Sequence, residues 1–131
     1  MRLPFVVVFR FIFYTFAPTM TPTQLAQEQL DAYNAHDLSR FLAVYSETVT
    51  VYRLSGSTPV LQGKADFAKA YAERFKLTAL HAEVVQRMAF GDKVIDHERV
   101  TGLGDEVVEV AALYQVAAGL IQTVWFLPAQ G

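Results

Sequence analysis

The residues best suited to chemistry lie in one short run, KVIDHERVTG, from Lys93 to Gly102. Strict strand alternation puts Val94, Asp96, Glu98 and Val100 on one face and Ile95, His97, Arg99 and Thr101 on the other. At ~3.3 Å of rise per residue, Asp96 and Glu98 stand about 6–7 Å apart. Facing a cavity, two such carboxylates repel each other and lose solvation. That raises at least one pKa and supplies a candidate acid and a candidate base. Facing outward, both are simply solvated or paired across a subunit contact. Both orientations stay open, because charge occupies both faces of the run. In HAEVVQRMAF, alternation groups His81 with Glu83, Val85 and Arg87, so His81 can orient on Glu83 or reach a carboxylate such as Asp96. The candidate proton-transfer residues are therefore Asp96, Glu98 and His81; a histidine satisfying a local hydrogen bond is the plainer alternative for the last.

Other chemistries find little support. The chain has no cysteine, which excludes a disulfide framework, a thiolate zinc site and a Cys nucleophile. Its histidines, at 36, 81 and 97, lack metal-ligand spacing, so no metal and no cofactor is expected. No G-x-S-x-G, P-loop or G-x-G-x-x-G is present. A net charge of −2 without a basic run argues against nucleic acid, because phosphate binding needs clustered Lys and Arg.

Positioning elements are legible around these residues. From Leu80 to Leu127 the chain reads as four strands, HAEVVQRMAF, KVIDHERVTG, VVEVAALYQV and LIQTVWFL, with Gly91, Gly104 and Gly119 at the turns. Before it, Leu25, Ala26, Leu30 and Tyr33 form one stripe of a helix from Thr21 to about His36, opened by a Thr21–Gln24 capping box with Pro22 at the first helical position. Asn34 to Asp37 breaks that helix, and Asp37 caps a short second one carrying Phe41. TVTVYRL is a strand, Val60 to Gln62 a short return, and Lys64 to about Phe75 a third helix with Phe67, Tyr71 and Phe75 as its ridge. Helices first and a long sheet after imply an α+β fold with a cavity between sheet and helices. At 131 residues, 53% of them hydrophobic, a single domain with one core is expected.

The segments QLDAYNAHDLSRFLAVYSETVTVY, GKADFAKAYAERF and GLIQTVWF together resemble the nuclear-transport-factor-2-like superfamily, in its SnoaL-like and ketosteroid isomerase-like bacterial branch. The N-A-x-D-L break at Asn34 to Leu38 is the most telling part. The resemblance implies a cone-shaped barrel, made of a curved antiparallel sheet covered by three N-terminal helices, with an apolar pocket and homodimers formed through the outer sheet face. Carried over on the break, the isomerase's three working positions fall on Gln29, Arg53 and Tyr114. A guanidinium stays protonated and cannot act as base, so standard ketosteroid isomerisation is not expected. Gln29 and Tyr114 keep hydrogen-bonding capacity. Arg53 suits a carboxylate-bearing ligand, or else pairs with Glu98 or Asp96. Tyr45, Tyr114 and Trp125 complete the expected ligand-binding set, the last because the resemblance places its row in the pocket.

The expected function is a pocket protein binding a small apolar, oxygenated or carboxylate-bearing molecule; the alternative is an isomerase or cyclase using a pocket carboxylate. Residues 1–19 are apolar but interrupted by Arg10, and their run from Leu3 to Ala17 is shorter than the ~20 residues that span a bilayer. They read as a mis-called start before Met20, a weak signal or anchor, or an added arm, leaving residues 20–131 as the domain. No membrane partner is expected for that domain, and its expected location is cytoplasmic.

Overall fold

The computed structural model describes residues 19–129. The reading of the N-terminal extension, up to residue 18, lies outside them. The elements follow in the order α1 (Pro22–Asn34), α2 (Leu38–Leu42), β1 (Tyr45–Arg53), β2 (Leu61–Gln62), α3 (Lys64–Arg74), β3 (His81–Phe90), β4 (Lys93–Thr101), β5 (Val108–Ala117) and β6 (Leu120–Pro128). This is an α+β fold with the helices laid on one face of a curved sheet.

Local chemistry sets the helix ends. The Thr21 hydroxyl accepts from the Gln24 amide while the Gln24 side chain accepts from the Thr21 amide, the reciprocal box expected for α1. Asp37 caps α2 by accepting from the Arg40 amide. α1 buries Leu25, Ala26, Gln29, Leu30, Ala32 and Tyr33. Phe41, the one buried residue of α2, binds the helices together: its ring centroid lies 4.8 Å from Tyr71, 5.2 Å from Phe75 and 5.7 Å from Phe67. Such aromatic contacts are worth ~0.5–1.5 kcal/mol each beyond their buried area.

The Asn34 break also has a long-range role. Its amide nitrogen donates to the Ala82 carbonyl at 2.9 Å, and its side-chain oxygen accepts from the Ala82 amide at 2.8 Å. The side chain thus acts as a short extra strand against β3, an edge strand whose backbone groups otherwise lack partners there. His36, at φ 54°, approaches the Leu80 carbonyl oxygen through Nε2 at 2.8 Å and stacks on Phe75.

The sheet runs β2-β1-β6-β5-β4-β3. Two details depart from a closed antiparallel barrel. The sheet stays open, with β2 and β3 as its edges, and β1 pairs with β6 in parallel. The parallel pair arises because the return from β5 brings β6 alongside the first strand of the chain, from which a helix and four strands separate it in sequence.

The pairing is irregular in three places, between Tyr45 and Thr50 of β1 against β6, in β3 and in β6, and the last two decide which side chains face the helices. In β3, Val84 pairs with Glu98 but Gln86 pairs with His97, so Val85 is an extra residue. In β6, Gln115 pairs with Thr123 and Val116 with Ile121, so Gln122 is extra. Each extra residue reverses the inside–outside alternation beyond it.

Candidate functional site

Between the sheet and the helices lies a cavity of about 470 Å³, within the range of small-molecule sites. Its walls are largely apolar, with Val51, Phe67, Val110, Val124 and Phe126 among them. Three charged side chains line it: Glu98, Arg53 and Arg74. Glu98 is only 7% exposed; both arginines are exposed, so they stand at the mouth.

A chain of hydrogen bonds ends on Glu98. The Tyr45 hydroxyl donates to Gln29 Oε1 at 3.1 Å. Gln29 Nε2 donates to the Tyr114 hydroxyl at 3.1 Å and to the Ala26 carbonyl at 3.1 Å. The Tyr114 hydroxyl in turn donates to Glu98 Oε2 at 3.2 Å. Every donor proton in the chain is committed, so the Glu98 carboxyl has one oxygen held and its second available to the cavity. Burial, and then the neighbouring Asp96 charge, push the Glu98 carboxyl up to about 7, against the opposing pull of the Tyr114 hydrogen bond and of Arg87. Burial drives the Tyr45 and Tyr114 hydroxyls well above the ordinary phenol range, so both remain donors.

The face of β4 bearing Asp96 and Glu98 therefore points inward, and the two carboxylates have separate fates. Asp96 is fully buried and does not line the cavity. Arg87 grips it in a two-pronged pair, Nε to Oδ1 at 2.7 Å and Nη2 to Oδ2 at 3.0 Å, while its remaining nitrogen donates to Gln27 Oε1 at 2.9 Å. Asp96 is thus held in an ion pair behind the wall and does not meet the cavity beside Glu98.

Gln29, Tyr45, Tyr114, Glu98 and Arg53 come together around one cavity, as the sequence suggested. Arg53 makes no ion pair with Glu98 or Asp96; the latter is taken by Arg87. Besides Asp96, two expected residues lie elsewhere. The His81 side chain is exposed at the start of β3, because Ala82 and Val84 are the inward positions before the bulge and Arg87 is inward after it. Trp125 lies outside the cavity, where its ring stacks on Tyr52 at 6.0 Å, while Val124 and Phe126 face the cavity. The extra residue at Gln122 separates Ile121, which is buried, from the Thr123 and Trp125 row that alternation joined to it. Arg74, Tyr71 and Tyr33 also line the cavity. Tyr71 was legible only as part of the packing ridge of α3, and Arg74, one turn further on the same helix, carried no signal in the sequence.

Among the described residues no cluster of His, Asp and Glu could hold a metal ion, and no helix is long and apolar enough to cross a membrane.

Residues 26–124 match the model of the SnoaL-like domain family. The chain belongs to that family. Among solved structures, it is similar to an uncharacterised cystatin-fold protein from Novosphingobium aromaticivorans, with a TM-score of 0.76 and 23% identity over 82% of this chain and 97% of that one. A Kribbella flavida protein, provisionally named a ketosteroid isomerase, gives a TM-score of 0.73 at 23% identity over 86% of this chain and 81% of its own. A Pseudomonas putida protein, provisionally named a polyketide cyclase, gives 0.62 at 26% identity over 82% of this chain and 90% of its own. No protein of curated function matches the chain.

Proposed function

We propose that this SnoaL-like protein binds a small apolar, oxygenated molecule in the cavity and that Glu98 exchanges a proton with it. One observation carries the reading: Glu98, 7% exposed on an apolar wall, has its pKa raised to about 7 and one oxygen free of the Tyr114 bond. A carboxyl of that pKa is present in both forms near neutrality, which suits general acid or base work. By the resemblance, Arg53 falls near the place where isomerase relatives carry their base. The proton-transfer role thus shifts from β1 to β4, and standard ketosteroid isomerisation is not part of the proposal. The provisional names isomerase and cyclase on two structural neighbours are in keeping with this class of chemistry.

The test is α-proton exchange of 2-tetralone, an enolisable apolar ketone, in deuterated buffer followed by NMR. The full chain accelerates exchange, with a rate that climbs through neutral pH as Glu98 ionises, and Glu98→Gln lowers it by ~10²–10⁴-fold with binding retained. Binding without accelerated exchange in the natural protein would reduce the site to a non-catalytic pocket. No binding by any compound of this class would remove the reading altogether.

A homodimer through the outer sheet face belongs to the same proposal. What supports it is a continuous row across five strands, Tyr52–Trp125–Leu113–Ile95–Met88, each residue in register with the next on the face away from the helices. Sedimentation velocity checks it: Ile95→Lys yields a monomer where the natural chain pairs, and a natural chain that sediments as a monomer refutes it.

A further inference from the structure

The cavity mouth carries a charge pattern that the proton-transfer reading leaves unused. Arg53 ends β1 and Arg74 ends α3, so two different elements each bring an exposed arginine to the lining of the same cavity. Elsewhere in the chain, Arg40 is paired with Glu28 and Arg87 with Asp96. Among the described residues, Arg53 and Arg74 make no ion pair. Arg74 is nonetheless held in place, its guanidinium 5.4 Å from the centre of the Tyr71 ring and close enough to Tyr33 to oppose the rise that burial imposes on that hydroxyl. Tyr71 lines the cavity at 8% exposure, and its hydroxyl makes no hydrogen bond among the described residues. A buried hydroxyl without a partner is uncommon and points to a ligand atom as its complement.

We propose that Arg74 and Arg53 recognise a carboxylate on the ligand, so that the substrate class is an amphiphilic carboxylic acid with its apolar body in the cavity and its anionic end at the mouth. This rests on the reading of the cavity as a small-molecule site. Planar guanidinium groups match the two oxygens of a carboxylate and hold them by charge-assisted hydrogen bonds. A phosphate is a poorer fit. Its greater charge and three terminal oxygens call for more donors, and the lining has no Lys, Ser, Thr or Gly to supply them. The geometry also orders the ligand. Both cations are exposed and Glu98 is deep, so an acid anchored at the mouth presents its far, apolar end to the proton-transfer group rather than its own carboxylate.

The experiment is calorimetric titration of the full chain with 4-(2-naphthyl)butanoic acid and with its primary amide, which differ only in charge at the anchoring end. The acid binds ~10-fold more tightly than the amide, and raising salt shrinks that advantage, as expected for a charge-assisted contact at an exposed mouth. Arg74→Met and Arg53→Met each weaken the acid ~10-fold and leave the amide within ~2-fold. Both side chains are exposed, so the variants keep the fold, which circular dichroism verifies. Equal binding of acid and amide, or equal loss of both in the Met variants, overturns the carboxylate inference while leaving the cavity reading in place. Failure of both probes to bind overturns the two together.

Discussion

Replacing Glu98 by Gln tests the electrostatics of the cavity without any ligand. The substitution keeps the side-chain shape and an oxygen to accept the Tyr114 hydroxyl, but it removes the titrating charge. The folded-state pKa of Glu98, about 7, lies above the 4.5 of an unperturbed glutamate. Between these values the folded state holds a proton that the unfolded chain has released. The stability contributed by this group is therefore whole below pH ~4.5 and is lost as pH rises through ~7. A shift of that size corresponds to about 3 kcal/mol. Glu98 is nearly fully buried, so solvent screening reduces this little. Urea denaturation of both proteins across this range supplies the measurement. Because all other titrating groups are shared, their contributions largely cancel in the difference between the two curves. Glu98→Gln gains about 3 kcal/mol on the natural protein between pH ~4.5 and ~8.5, equivalent to roughly 10 °C in Tm for a domain of this size. A difference that stays flat with pH, or that moves in the opposite direction, would refute the claim that Glu98 is buried as a proton-transfer group.

The remaining predictions concern the supports of the site. Arg87→Met leaves the Asp96 carboxylate buried without a partner and destabilises by about 3–5 kcal/mol, and adding Asp96→Asn restores much of the loss, both read from urea midpoints. Asn34→Ala removes the two bonds to the Ala82 backbone and lowers stability by about 2–3 kcal/mol, and the Ala82 amide becomes fast in hydrogen exchange ahead of the rest of β3. Gly102 sits at φ +85°, and a Cβ there would come within 2.2 Å of the Ala79 carbonyl oxygen, so Gly102→Ala destabilises by more than about 2 kcal/mol in thermal melts.

Much of the architecture was legible in the chain because it is encoded locally. The Thr21–Gln24 box, the Asp37 cap, the apolar stripe of α1 and the turn glycines each act over three or four residues. The strands were recognisable by composition for the same reason. The resemblance of the Asn34 break added the family's fold, although it could not say that the Asn34 side chain pairs with an edge strand 48 residues away.

The site was legible only in part. Gln29, Tyr45, Tyr114, Arg53 and Glu98 could be named, yet the direction of the β4 face could not, since charge on both sides gave alternation no sign. That choice depends on where the helices pack. Trp125 lies outside because a single extra residue, Gln122 in β6, reverses the pleat, and Val85 in β3 likewise parts Arg87 from the outward row of His81; a bulge is set by strand pairing rather than by local composition. The same bulge in β3 turns Arg87 onto Asp96, which divides two apparently equivalent carboxylates into one held in an ion pair and one open to the cavity. Residue types and the order of the elements were thus determined by the sequence itself. Tertiary pairing alone decided which carboxylate meets the cavity, because register and burial belong to contacts between distant segments.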